Sequence, residues 1–375
     1  MISPLIKLRK KLSKKGFHAM LVSSPSDIFY LTNYPGLIKE EREIFLFITK
    51  NYQYVLTDRR YIGTVKALIL NYKLVEISSK HSLTNALNAL RTKHKIKKLG
   101  IDESDIKVSE YKKLKKRFNK ICHCNSISDL RTTKEREEIS RIEKACQLGD
   151  KTFNYILKKI RLGISEKEIV FEIELFTKQH GADISFPPVI AFGPNSAIPH
   201  HRPTNKKLKK NQIILLDFGV KLNNYCSDMT RTIFFGKSIG KFKKMYNAVL
   251  KAQKRAMEHI SRYHAEFASA SSGSRSRNKF GMTASKVDGI ARDYIVSQGY
   301  ETIPHSLGHG IGIDVHENPH LSPKSKDSLT EGMVFSVEPG IYVPDFGGIR
   351  IEDLIVLEKS GPRLLTHSPK TIIEL

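Results

Sequence analysis

The chain is short of cysteine, of long apolar runs and of acidic residues, and each shortage narrows what it can be. Four cysteines cannot build the disulfide framework of a small secreted fold. Cys122 and Cys124 flank His123, which invites a metal reading, but no second pair stands at zinc-finger spacing. Cys146 falls at an apolar helical position and Cys226 close to a candidate strand, so the four read as reduced, structural thiols, the state kept in a cytosol. No uninterrupted apolar run approaches the roughly 18 residues that would mark a membrane-spanning helix. The first residues, Met1-Ile-Ser-Pro-Leu-Ile-Lys-Leu-Arg-Lys-Lys, lack the apolar segment and cleavage site of a signal peptide. They read as an amphipathic helix, and a cytoplasmic protein is expected. Asp and Glu number 38 against 63 Lys and Arg, a formal net charge of +25. Such a surface can attract nucleic acid or an anionic membrane. No aromatic-interleaved basic motif accompanies it, so the charge reads as solvated, Lys-rich faces, and neither partner is expected.

What is present suits a soluble globular protein: 375 residues, 40% of them hydrophobic, are enough for two domains. Residues 1–130 alternate helix and strand signals, with strands at Ala19–Val22, Ile44–Ile48, Tyr54–Thr57, Leu68–Val75 and Lys98–Ile101, which predicts an α/β domain with a mixed sheet. A boundary falls near Asp129–Glu135. There Thr132 and Glu135 form a capping-box pattern opening a helix through about Ile160. A second domain, 131–375, follows, with helices expected over 165–180, Lys241–Arg262 and Ser285–Ser297. A strand at Pro188–Phe192 leads into the loop carrying Pro199-His200-His201. The Ser-rich stretch 265–280 reads as a flexible surface insertion.

Two aspartates, one histidine and two glutamates stand out in this second domain. Asp217 interrupts Ile213-Ile-Leu-Leu-Asp217-Phe-Gly, Asp228 lies in Cys226-Ser-Asp228-Met-Thr-Arg-Thr, His309 in Ser306-Leu-Gly-His309-Gly-Ile-Gly, Glu338 in Phe335-Ser-Val-Glu338-Pro-Gly and Glu352 in Ile349-Arg-Ile-Glu352-Asp. Burying so many carboxylates is prohibitive unless positive charge sits among them. Residues 213–220 and 225–234 read as a hairpin. With the turn centred near 222–223, Asp217 and Asp228 fall opposite each other, where Cβ atoms are about 4.5–5.5 Å apart. Two carboxylates so close repel. A pair of divalent metals about 3.5–4 Å apart removes the conflict by sharing oxygens. One imidazole with four carboxylates suits Mn, Co, Fe or Zn.

The segments LLDFGV, SDMTRT, HSLGHGIG, SVEPGIY and GIRIED, in that order, resemble those of the pita-bread metallopeptidases. His200, His305 and His316-Glu317 point to the branch holding Xaa-Pro aminopeptidase and Xaa-Pro dipeptidase (prolidase). The resemblance spans nearly the whole chain. It implies an α+β protein: a C-terminal pita-bread (creatinase/aminopeptidase-like) catalytic domain behind an N-terminal α/β domain of creatinase type. It further implies that Asp217 binds one ion, that His309 and Glu338 bind the other, and that Asp228 and Glu352 bridge. Mn(II) is the first expectation for the metal. A hydroxide between the ions attacks the scissile carbonyl, Glu338 shuttles the proton, and His316 hydrogen-bonds the carbonyl beside the scissile bond. His200 and His305 line the pocket and stabilise the tetrahedral intermediate. Arg350 binds a substrate carboxylate or orients an acidic neighbour, while Tyr342, Phe186 and Phe192 are candidates to wall the proline ring. Asp27 matches a position that contacts substrate, or serves as a helix N-cap. The implied activity is hydrolysis of the N-terminal Xaa-Pro bond of peptides with proline second, by an aminopeptidase, or alternatively by a dipeptidase, in a homodimer. A non-catalytic nucleic-acid- or protein-binding relative is the remote alternative. Creatinase-like and methionine aminopeptidase readings fit less well.

Overall fold

The computed structural model describes residues 3–38, 40–270 and 282–375, which divide into two units, Met1–Arg131 and Thr132–Leu375. In the first unit six strands form one mixed sheet: β1 (Ala19–Val22), β2 (Ile44–Thr49), β3 (Gln53–Thr57), β4 (Lys73–Glu76), β5 (Lys98–Ile101) and β6 (Lys120–His123), in the order β4-β3-β2-β1-β5-β6. Alternate residues serve opposite faces, as the two-residue period of a strand requires. Met20, Val22, Leu46, Ile48 and Val55 join one core with Leu8, Leu12, Ile28, Val65 and Ile127. Ala19, Leu21, Phe45, Phe47 and Leu56 join the other with Leu87, Leu90, Leu114 and Phe118. Helices α1 (Pro4–Lys14), α2 (Pro25–Thr32), α3 (Ile62–Leu68) and α6 (Ser126–Arg131) therefore cover one face, and α4 (Leu83–Lys93) and α5 (Val108–Lys115) the other.

Two expectations, at Leu68–Val75 and at Asp27, are corrected here. The apolar stretch Leu68–Val75 is the end of α3 followed by the short strand β4, a case where a brief apolar run does not distinguish helix from strand. His123 lies on β6, partnering Ile101 in the ladder, and among the described residues no metal cluster forms around it. Asp27 is not the N-cap of α2, which is Ser24; it lies one turn in, and Arg131 Nη1 donates to its Oδ1 at 2.7 Å.

The second unit begins with α7 (Arg136–Lys159) and α8 (Glu166–Gln179). The helix is capped at Glu135, three residues after the expected Thr132. Thr133 bridges Met333 and the Lys134 amide donates to Gly332 O at 2.8 Å, so the chain stays extended as far as Glu135, whose amide donates to Glu138. The strands are β7 (Asp183–Ile184), β8 (Val189–Phe192), β9 (Gln212–Phe218), β10 (Val220–Leu222), β11 (Tyr225–Cys226), β12 (Met229–Phe235), β13 (Gly308–Gly310), β14 (Glu317–Leu321), β15 (Val334–Val337), β16 (Gly340–Val343), β17 (Gly347–Arg350), β18 (Asp353–Glu358) and β19 (Gly361–Leu364). They form small antiparallel sheets: β11-β10-β7, β12-β9-β8, β14-β13-β15-β18-β19 and β16-β17. Phe153, Ile156, Ile169 and Ile173 of α7 and α8 pack on β8, β9 and β12. Helices α9 (Gly240–Ala270) and α10 (Ala284–Ser297) pack on β15, β16, β17 and β18. Helix α9 continues past the expected Arg262 into the 265–280 stretch, and the remainder of that stretch lies outside the described residues.

Candidate active site

The hairpin that carries both aspartates turns one residue later than its sequence suggests. Asn223 and Asn224 both take positive φ, 49° and 66°, as a two-residue type I′ turn demands. The register pairs Lys221 with Cys226 and Asp217 with Thr230. Asp217 and Asp228 are thus diagonal rather than opposite, a correction of the expected pairing. The diagonal position leaves Thr230 beside Asp217, and its hydroxyl donates to Glu352 Oε2 at 2.8 Å.

His309 reaches the same place from β13. Gly308 and Gly310 flank it because the chain is pressed between neighbours: a Cβ on Gly308 would lie 1.9 Å from Ser336 O, and one on Gly310 2.1 Å from Asn318 O. The His309 Nδ1 lies 3.1 Å from Gly310 O. A carbonyl only accepts, so the proton sits on Nδ1 and Nε2 presents its lone pair. That Nε2 stands 3.6 Å from Asp228 Oδ2 and 3.5 Å from Glu338 Oε1. Burial first, then His316, pulls the His309 pKa down to about 4, so the ring is neutral at pH 7. Glu338 follows the end of β15 and Glu352 sits between β17 and β18, so both stand at strand ends.

Ligand atoms of Asp228, His309 and Glu352 all lie within 4.8 Å of one another. Asp228 Oδ1 and Glu352 Oε1 are buried with no hydrogen-bond partner among the described residues. Burial raises the pKa of Asp217, Asp228, Glu338 and Glu352. Neighbouring carboxylates push Asp228 and Glu338 well up, and burial followed by Asp217 takes Glu352 to about 8. Orphaned carboxylate oxygens, an imidazole lone pair and acids that cannot all ionise together are what a divalent cation would satisfy. The donor set of oxygen and nitrogen therefore fits such ions.

Asp217 stands slightly apart: Arg350 Nη2 donates to its Oδ2. Arg350 is almost wholly buried and also donates from Nε to Thr230 Oγ1 at 3.1 Å and from Nη1 to the Tyr342 hydroxyl at 2.8 Å. Burial opposes its charge, but Tyr342, Asp217 and Glu338 hold its pKa well above the ordinary value. The Tyr342 hydroxyl lies 2.8 Å from His305 Nε2, and His305 Nδ1 lies 2.8 Å from Ser306 O. Both His305 nitrogens are thus engaged within the protein. Tyr342 supports the site through His305 and Arg350 and does not itself line the cavity.

Asp217, Asp228, His309, Glu338, Arg350 and Glu352 form the floor of a cavity of about 470 Å³. Phe186, Pro187, Pro188, Val189 and Val315 supply apolar wall, and His200, His305, His316 and His320 surround the carboxylates. Phe192 is not among the lining residues: it is fully buried with Phe153 and Ile169 behind β8, because the two-residue strand period turns it away from the cavity. The chain matches the profile of metallopeptidase family M24 over residues 140–359 and that of the creatinase/prolidase N-terminal domain over 5–133.

The chain belongs to metallopeptidase family M24.

As an M24 enzyme it joins a creatinase-type N-terminal domain to a pita-bread catalytic domain. It is similar to the Xaa-Pro dipeptidase of Pyrococcus horikoshii, 38% identical over 285 residues covering 74% of this chain and 75% of that protein. Among solved structures it matches an Xaa-Pro dipeptidase from Bacillus anthracis with a TM-score of 0.87 and 32% identity over 99% of both chains. It also matches an X-Pro aminopeptidase from Thermotoga maritima with a TM-score of 0.85 and 29% identity over 100% of both chains. This M24 chain also has site residues that sequence reasoning passed over. Buried Glu166, at the start of α8, accepts from His201 Nε2 at 2.9 Å, from the Thr204 amide at 2.9 Å and from the Phe192 amide at 2.9 Å. It thereby anchors the loop bearing His200. Glu166 read only as a helix residue, since nothing local marks an acid whose partners lie 26 to 38 positions away. Thr230 was visible inside its motif, but its role needed the register.

Proposed function

We propose that this M24 metallopeptidase hydrolyses the peptide bond preceding proline, with Xaa-Pro dipeptides as preferred substrates and Mn(II) as its metal. The observation that carries the reading is the cluster of Asp228, His309 and Glu352 at the floor of a cavity with an apolar wall at Phe186, Pro187, Pro188 and Val189. An Xaa-Pro bond is a tertiary amide with no N–H, so its ring needs apolar surface rather than an acceptor. The sequence put aminopeptidase ahead of dipeptidase. The names of the Pyrococcus horikoshii and Bacillus anthracis proteins favour the dipeptidase reading, and the Thermotoga maritima protein keeps the aminopeptidase as the second reading.

Asp217, Asp228, His309, Glu338 and Glu352 would hold two divalent ions. When bound, these supply Lewis acidity that lowers the pKa of water and polarises a carbonyl oxygen. The remaining work falls to the protein. Proline nitrogen must gain a proton before it leaves. Glu338 takes a proton from the attacking water and returns it to that nitrogen. Ser336 Oγ donates to Glu338 Oε1 at 3.1 Å and fixes its direction. His200 and His316, at the cavity wall, offer N–H groups to the carbonyl oxygen as charge develops on it. Arg350, itself on the cavity lining, holds Asp217, and Tyr342 behind it holds His305.

The test is hydrolysis by chelator-treated, Mn(II)-reloaded enzyme of an Xaa-Pro dipeptide, an Xaa-Pro-Yaa tripeptide and Met-Ala-Ser, with Asp228→Ala alongside. Cleavage of the dipeptide alone supports the reading, cleavage of the tripeptide transfers it to the aminopeptidase, and no metal-dependent cleavage of any of the three overturns it.

A further inference from the structure

The two glutamates of the site stand where paired strands pass from one sheet to another, Glu338 between β15 and β16 and Glu352 between β17 and β18, and one side chain grips the main chain beside both. Gln253, on α9, is 1% exposed. Its Nε2 lies 3.0 Å from Val337 O, 3.3 Å from Ile351 O and 3.1 Å from Asp353 Oδ2. Two carbonyls and a carboxylate can only accept, so the amide has one permitted orientation. Lys370 Nζ, 3.4 Å from Oε1, agrees with it. Val337 immediately precedes Glu338, and Ile351 immediately precedes Glu352.

The neighbours of Gln253 show why this contact is selective for the site. On α9, Val249, Ala252 and Ala256 are fully buried, so the helix carries the amide on a rigid base. The Glu352 main chain is fixed separately to β12, its amide donating to Thr230 O at 3.1 Å and its carbonyl accepting from Arg231 Nη1 at 2.5 Å. The strands around the two glutamates are already paired, β15 with β18 through Val337 and Asp353 and β16 with β17 through Gly340 and Arg350. Gln253 clamps the break between these two ladders, where Glu338 and Glu352 stand. Without the donor, two carbonyls and a carboxylate at that break lose a partner, and the two glutamates lose a restraint.

We propose that Gln253 is a positioning residue of the metal centre, setting the separation of Glu338 and Glu352 and through it the affinity for divalent ions. Groups that orient ligands from outside the coordination sphere typically change metal affinity by about 10- to 100-fold when lost. The experiment is calorimetric titration of the chelator-stripped full chain with Mn(II), comparing wild type with Gln253→Met, which keeps the length of the side chain and removes the donor. Thermal melts of the stripped proteins run alongside. The expected result is a folded variant whose Mn(II) affinity falls by about 10-fold or more. A folded variant with the wild-type isotherm, even one with a lower melting temperature, overturns the proposal, because a purely structural contact would move only the melt. If Gln253→Met does not fold, Gln253→Asn retains an amide but withdraws it by one methylene, and the same two outcomes decide. Wild-type chain that takes up no Mn(II) would overturn the metal-centre reading itself, a result distinct from equal affinities in both proteins.

Discussion

The guanidinium of Arg350 is bound to the carboxylate of Asp217, so one acid of the proposed metal site is compensated by the protein itself. The same guanidinium continues through the Tyr342 hydroxyl to His305, tying the cavity wall to its floor. Removing one member of a buried ion pair strands the other charge, at a cost of about 3–5 kcal/mol. Arg350→Met is therefore expected to lower the stability of the metal-free protein by about that amount, and added Mn(II) should restore part of it. Urea titrations with and without metal check this, and equal losses in both conditions would count against it.

Glu352 gives a pH signature. Burial first, then Asp217, raises its folded pKa from 4.5 to about 8. A carboxyl whose pKa is raised by folding costs nothing below its unfolded value. The cost grows as pH rises from about 4.5 to about 8 and is constant above. Stripped Glu352→Gln should therefore gain stability relative to stripped wild type across that window, at up to about 1.4 kcal/mol per pH unit. Parallel stability–pH curves for the two proteins would contradict the assignment.

Metal itself should act as a folding ligand. The orphaned oxygens of Asp228 and Glu352 have no other partner among the described residues, so ions bind the folded chain in preference to the unfolded one. At free metal about 100 times its Kd the gain is about 2.7 kcal/mol per site. Melting temperature should rise with the logarithm of Mn(II) concentration, chelator should abolish peptide hydrolysis, and Asp228→Ala should show neither response. A melting temperature indifferent to metal would dismiss the centre.

Glu166 holds the His200 loop through His201 and Thr204. Burial would raise its pKa, but His201, Thr204 and the Phe192 amide outweigh it and leave the value lowered. Its contribution to stability is present above about pH 4.5 and is lost as pH falls through the folded pKa. Glu166→Gln sets an amide donor against these donors, with an expected loss of about 1–3 kcal/mol. KM should rise more than kcat falls, because the loop shapes the pocket and does not touch the proton path. Steady-state kinetics on an Xaa-Pro dipeptide would refute this if kcat alone changed.

Much of this protein was determined by its sequence, and the reason is locality. The alternation of helix and strand signals over residues 1–130 points to an α/β domain with a mixed sheet, and the structure has one. Each metal-site residue carries its own surroundings with it: Gly308 and Gly310 are required wherever His309 is pressed between Ser336 and Asn318. Tertiary structure decided what depends on register and on distant partners. One residue of turn, fixed by Asn223 and Asn224 in the left-handed region, moved Asp228 from opposite Asp217 to the diagonal and brought Thr230 to Glu352. Phe192 was apolar and close in sequence to the pocket, but strand alternation turned it into the core. Arg350 could have served substrate or an acidic neighbour. Only the fold, which brings together residues 133 positions apart, gave it to Asp217. Gln253 and Glu166 carry no local mark at all, because a side chain that holds distant main-chain groups is indistinguishable in sequence from any polar residue on a helix.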